Sequence, residues 1–111
     1  MLSWHKIADN EESLPWQENG MCMVLVADKP RLLVRFGGQI YAMPAFCPHA
    51  GAVLAEGYVS GRGEVVCPLH DYRFRVRDGH NSSGEGYRLR CHVVECREDG
   101  VYLGLADGAI G

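Results

Sequence analysis

The chain has 111 residues, of which 47% are hydrophobic and 23% charged, and its formal net charge is −3. This is the composition of one globular domain able to bury roughly 65% of its unfolded surface, which excludes a disordered tail, and the acidic balance argues against nucleic acid as a main partner. No run approaches the roughly 20 apolar residues of a membrane helix. The opening MLSWHKIADNEESLPW has neither the basic start nor the apolar core of a secretory signal, so a cytoplasmic protein with no membrane partner is expected.

In chain order, EESLPW at 11–16 offers a helical turn and no more. MCMVLV at 21–26 and RLLVRF at 31–36 are short and β-rich, separated by the turn-like Ala27-Asp-Lys-Pro30. Gly37 and Gly38 then predict a tight hairpin into QIYAMPA at 39–45, because the favoured two-residue turns need positive φ. From about 45 to 80 the texture changes: five glycines, Pro48 and Pro68 interrupt short apolar runs. Within this stretch YRFRVR at 72–77 alternates, placing Tyr72, Phe74 and Val76 on one face and Arg73, Arg75 and Arg77 on the other. The arginine face reads as solvated or as part of a docking patch. YRLRCHVVEC at 87–96 and VYLGLA at 101–106 flank Glu-Asp-Gly, a further hairpin signal. The expectation is an all-β single domain of nine or ten antiparallel strands. Residues 45–80 form a subdomain inserted in a β base made of 1–44 and 81–111.

Five cysteines cannot close into a complete set of internal disulfides, and in a reducing compartment cysteines clustered with histidines point to metal. Cys47 stands with His49 in CPH, and Cys67 with His70 in CPLH, with seventeen residues between His49 and Cys67. A proline after each cysteine fixes φ and removes an amide donor, which pre-sets each turn. Two such loops facing each other would present two sulfurs and two nitrogens. Zinc accepts that set, but its usual fingers pair Cys with Cys and His with His. One Cys and one His per loop suits a centre with a sulfur end and a nitrogen end.

The pattern C-x-H, seventeen residues, C-x-x-H, continued through CPLHDYRFRVRDG at 67–79, resembles the Rieske iron–sulfur motif. The resemblance implies a Rieske fold of antiparallel sheets around a [2Fe-2S] cluster. In such clusters two histidines replace two cysteines on one iron. Carried over, Cys47 and Cys67 hold the inner iron, and His49 and His70 the outer one. High-potential relatives carry a disulfide between the two loops and hydroxyl donors past the last histidine. The matching positions here are Ala52 and Leu69, then Tyr72 and Phe74, which implies a low potential, on the order of −150 mV. The implied role is a soluble electron carrier, without a catalytic residue of its own, between a reductase and a terminal oxygenase. The alternative is the small [2Fe-2S] subunit of an NADH-dependent nitrite reductase, partnered by the large subunit; a zinc-binding structural module is the remote one. Asp71 stands where the family often has glycine. The segment GHNSSGEGY at 79–87 lacks the proline of the family's cover loop, so a looser cover is expected. Cys22, Cys91, Cys96, Trp4 and Trp16 read as packing residues, and His5, His80 and His92 as non-ligands.

Overall fold

Two primed turns build the first sheet. In the computed structural model, which describes residues 2–106, strand β2 (Met21–Val26) turns into β3 (Lys29–Phe36) and β3 into β4 (Gln39–Pro44). Gly37 and Gly38 have φ of 60° and 79°, as the hairpin signal requires. The preceding turn is tighter than the expected 27–30 segment. Ala27 and Asp28 alone form it, with φ of 53° and 62°, while Lys29 and Pro30 already pair with Val26 and Leu25. Two residues with positive φ match the twist of the flanking strands, and that gain outweighs the unfavourable backbone at a non-glycine pair.

The sheet order is β2-β3-β4, so β3 is central. Leu32, Leu33 and Val34 are fully buried in succession, the mark of a strand covered on both faces. One face packs Met21, Leu32, Val34 and Met43 against Cys47, Leu54, Val65, Cys67, Phe74 and Leu89 of the 45–89 region. The other packs Cys22, Leu33, Ile40 and Ala42 against Val101, Leu103 and Leu105. The latter three lie on β9 (Gly100–Ala106), the centre of a sheet β1-β9-β8 formed with β1 (Leu2–Ala8) and β8 (Val93–Arg97). A third sheet, β5-β6-β7, consists of Tyr58–Val59, Glu64–Val66 and Arg73–Arg75. All pairings are antiparallel. The described residues thus hold nine strands and no α-helix; the turn expected at 11–16 is a short 3-10 turn, Glu11–Ser13, capped by the Asn10 side chain. Of the expected base segment 81–111, residues 107–111 lie outside the described ones. Among the described residues no helix is long and apolar enough to cross a membrane.

The expected strand at 87–96 is shorter: only Val93–Arg97 pairs along β9. Cys91 therefore precedes the strand, with its thiol toward the Val76 carbonyl at 3.8 Å, and Cys96 is exposed on β8. Cys96 is a surface residue, in place of the packing role expected of it. Cys22 is buried as expected, and burial pushes the Cys22 and Cys91 thiols each up to about 11. Trp4 and Trp16 sit at edges, each under an arginine: Arg97 at 4.8 Å and Arg35 at 4.4 Å from the ring centres.

A buried polar pair ties β3 to the segment that leads into β8. Arg31 and His92 are almost fully enclosed, and Arg31 Nη1 lies 3.2 Å from His92 Nε2. Arg31 Nε and Nη2 also donate to the Val26 carbonyl, and the His92 amide donates to the Ala42 carbonyl at 2.8 Å. Beside a permanent guanidinium the imidazole must accept, so it must be neutral. Burial first, then the Arg31 and Arg90 charges, hold His92 below the usual histidine range. A base with a lowered folded-state pKa contributes stability that is present above its unfolded value, about 6.5, and lost as pH falls through the folded one. The urea midpoint is therefore expected to drop between pH 7.5 and pH 5. In His92→Gln, which keeps an acceptor for Arg31, the part of that slope owed to His92 disappears; an unchanged slope would refute the assignment.

Candidate metal centre

The two Cys-Pro loops are the same turn built twice. The Cys47 amide donates to the Ala52 carbonyl (2.9 Å) and the Gly51 amide returns to the Cys47 carbonyl (2.9 Å). The Cys67 amide donates to the Tyr72 carbonyl (2.8 Å), and the Asp71 amide returns to the Cys67 carbonyl (3.1 Å). In each, the fifth residue is left-handed: Gly51 at φ 71° and Asp71 at φ 57°. Within this common frame His49 corresponds to Leu69 and His70 to Ala50. The one-residue difference between C-x-H and C-x-x-H is thus a change of position inside one turn, not of turn. Asp71 adopts the geometry that glycine adopts at no steric cost. Asp71→Gly is expected to raise stability by about 0.5 kcal/mol, the relieved strain slightly exceeding the entropy added to the unfolded chain. Thermal unfolding of the purified pair of proteins checks this.

The donors are graded by depth. Both thiols are buried, His49 is half-buried and His70 is exposed. The His49 and His70 rings lie 5.0 Å apart. Burial raises the pKa of the Cys47 thiol, and the neighbouring Cys67 thiol adds to it. The backbone amides of His49 and Ala50, aimed at the sulfur, pull the other way and favour thiolate. Sulfur below and nitrogen above suit a centre with two metal positions.

One atom marks the site as a binding site. His49 Nδ1 is buried and has no hydrogen-bond partner, a costly arrangement for a side chain this well packed. The Tyr72 ring stacks on His49 at 4.3 Å and 25°, and Tyr87 closes over the pair at 6.1 Å from His49 and 5.9 Å from Tyr72. An imidazole clamped by rings with its nitrogen unsatisfied fits a metal ligand held in its binding orientation. Phe74 is in the core and has no hydroxyl, while Ala52 and Leu69 carry no sulfur to cross-link the loops.

The sequence profile of the Rieske [2Fe-2S] domain matches residues 3–96. The chain belongs to the Rieske [2Fe-2S] domain family. As a family member it carries a Rieske-type [2Fe-2S] cluster, which the donor set and the orphaned His49 nitrogen accommodate. It is 40% identical over 62 residues to the ferredoxin component of the naphthalene 1,2-dioxygenase system of Pseudomonas putida, covering 56% of this chain and 59% of that protein. Among solved structures it is similar to a chain of the complex of reduced oxygenase and oxidised ferredoxin in carbazole 1,9a-dioxygenase. That match has TM-score 0.75 and 30% identity over 90% of this chain and 91% of the other. The fold also matches a putative NADH-dependent nitrite reductase small subunit from Mycobacterium tuberculosis, with TM-score 0.80 and 19% identity over 96% and 97%.

Several features lay beyond sequence reasoning. Two of the three arginines of 72–77 are paired within the chain: Arg73 with Glu64 at 3.2 Å and Arg75 with Asp78 at 2.7 Å. The cover segment is not loose. Asn81 is buried and its amide nitrogen reaches the Arg73 carbonyl, Ser83 Oγ and Glu85 Oε1 at 3.0–3.1 Å, while Ser83 Oγ also donates to Glu85. Hydrogen bonds supply the order that a proline would otherwise bring. The available signal was Glu64, a lone carboxylate just before the apolar pair Val65-Val66, and the cluster of short polar side chains in NSSGE.

Proposed function

We propose that Cys47 and Cys67 hold the buried iron of the cluster and His49 and His70 the outer one. On this reading the chain carries single electrons from a reductase to a terminal oxygenase. The observation that supports it best is the pair of matched turns with thiols inside, imidazoles outside and His49 Nδ1 unsatisfied. The bound cluster supplies a one-electron couple. The chain's own residues do the rest. The amides of His49 and Ala50 stabilise negative charge on the Cys47 sulfur, and Tyr72 and Tyr87 screen His49 from water. Phe46, just before the first ligand loop, and Leu69, inside the second, are 46% and 51% exposed and give the histidine end an apolar rim. Such a rim suits transient docking of a protein partner close to the exposed His70.

We also read residues 45–80 as the cluster-binding subdomain within the β base, and the cytoplasm as the location, in keeping with cysteines that are not joined in disulfides. The test is direct. The purified protein should be red-brown, with iron and acid-labile sulfide in equal amounts and a midpoint potential on the order of −150 mV. A colourless zinc protein would overturn the assignment, and a midpoint above roughly +100 mV would overturn the low-potential reading. The chain spans 59% of the naphthalene ferredoxin it matches, so partners are tested separately. Purification alone supports the free carrier; obligatory co-purification with a large reductase subunit supports the nitrite-reductase alternative.

A further inference from the structure

Glu64 is a buried carboxylate, only 7% exposed, placed at the start of β6, three residues before Cys67, and not among the proposed donors. A carboxylate in this position needs its lone pairs filled. Three groups do so: Ser60 Oγ at 2.9 Å, Arg73 Nη1 at 3.2 Å and Ser82 Oγ at 2.5 Å. Ser60 and Arg73 lie within the stretch that builds the small sheet β5-β6-β7, whereas Ser82 lies in the cover segment, eighteen residues after Glu64.

From Ser82 the connection runs to the histidine end. The Ser82 amide donates to the Arg73 carbonyl at 3.0 Å, and the Arg73 amide donates to Ser83 Oγ at 2.9 Å. The neighbouring Asn81 accepts the Tyr87 amide on Oδ1 at 3.3 Å. Tyr87 in turn packs against Tyr72 and His49. Each link is an ordinary hydrogen bond or ring contact, and together they join a buried charge to the screen over one imidazole.

We propose that Glu64 is a positioning residue: by gripping Ser82 it fixes the 80–88 segment so that Tyr87 and Tyr72 keep water from His49, and it thereby tunes the reduction potential of the cluster. The proposal rests on the reading of His49 as a cluster ligand. The physical consequence follows from charge. Reduction adds a negative charge, water stabilises that charge, and solvent exposure is one of the variables that set such potentials. Releasing the clamp therefore raises the potential and shortens the life of the cluster.

The test uses the cluster-loaded protein with Ser82→Ala, Ser82→Thr and Glu64→Gln. Ser82 is exposed, so its variants do not disturb the core, and threonine restores the hydroxyl. Ser82→Ala should speed amide hydrogen exchange across 80–88 by roughly tenfold, as loss of one charge-assisted hydrogen bond implies, without changing exchange in β2–β4. The same variant should show a higher midpoint potential and faster bleaching by an iron chelator. Glu64→Gln should behave alike, and Ser82→Thr should resemble the wild type. Unchanged exchange at 80–88 with an unchanged potential in a red-brown Ser82→Ala protein would overturn the clamp alone. Threonine behaving like alanine would do the same. An iron-free wild type would overturn the ligand assignment and the tuning role with it.

Discussion

Cys67→Ser protein is expected to purify colourless, with iron below about a tenth of the wild-type content, since outer-shell changes alone cost roughly 10–100-fold in metal affinity. Cys67 is fully buried at the floor of the site, its amide and carbonyl both used in closing the turn, so a serine there keeps the backbone but is a poor soft donor. Stability falls as well. A group that binds only the folded chain stabilises it by mass action, and Cys67 sits in the core packed against Leu32, Val34 and Met43 of the central sheet. The unfolding midpoint of Cys67→Ser should therefore approach that of wild-type protein stripped of iron. Cys96→Ser is the control: Cys96 is exposed on β8, and its loss should leave iron, sulfide and colour unchanged. Equal iron content in the two variants would refute the ligand role of Cys67.

The parts of this molecule that could be read from sequence are those set by short-range chemistry. The Gly37-Gly38 turn, the alternation in YRFRVR and the twin Cys-Pro loops all act over fewer than ten residues. Each constrains its own stretch of backbone whatever the rest of the chain does. The turn at Ala27-Asp28 is tighter than the sequence suggests for the converse reason: neither residue is glycine, and only the register of β2 on β3 demands positive φ there. The run 87–96 reads as one strand because nothing local marks the break before Val93; β9 decides it by where its pairing begins. The polar contacts were out of reach altogether. Arg31 meets His92 across 61 residues and Glu64 meets Ser82 across 18, and each side chain taken alone looks like a surface residue. Burial by tertiary packing turns them into structural groups. The same limit applies to the site. The proposed donors stand out by their spacing, whereas the screen that surrounds His49 depends on how an unremarkable polar segment folds back over it.

That dependence makes Gly79 the residue whose replacement should be felt most strongly outside the ligands. Gly79 begins the cover segment at φ +74°, its amide bonded to the Arg75 carbonyl at 2.8 Å and its carbonyl accepting the Leu89 amide at 3.0 Å. A Cβ there would stand 1.9 Å from the Leu89 carbonyl oxygen and 2.8 Å from its carbon. Neither is a flexible side-chain end. Leu89 is buried in the core shared with Cys67 and Phe74, so the clash cannot be relieved by moving it without opening that core. Gly79→Ala combines left-handed strain with a backbone collision, and should cost about 3 kcal/mol or more. Two other glycines separate these causes. Gly84 has φ +86° but open space around it, so Gly84→Ala should cost only the strain, about 1 kcal/mol. Gly61 has neither positive φ nor a near neighbour, and Gly61→Ala should change stability by no more than about 0.5 kcal/mol. Urea midpoints of the three variants should fall in that order. Because the collision lies at the base of the cover segment, Gly79→Ala should also bleach under chelator faster than Gly84→Ala. Similar midpoints for Gly79→Ala and Gly84→Ala would show that the two backbones are not locked together at Leu89.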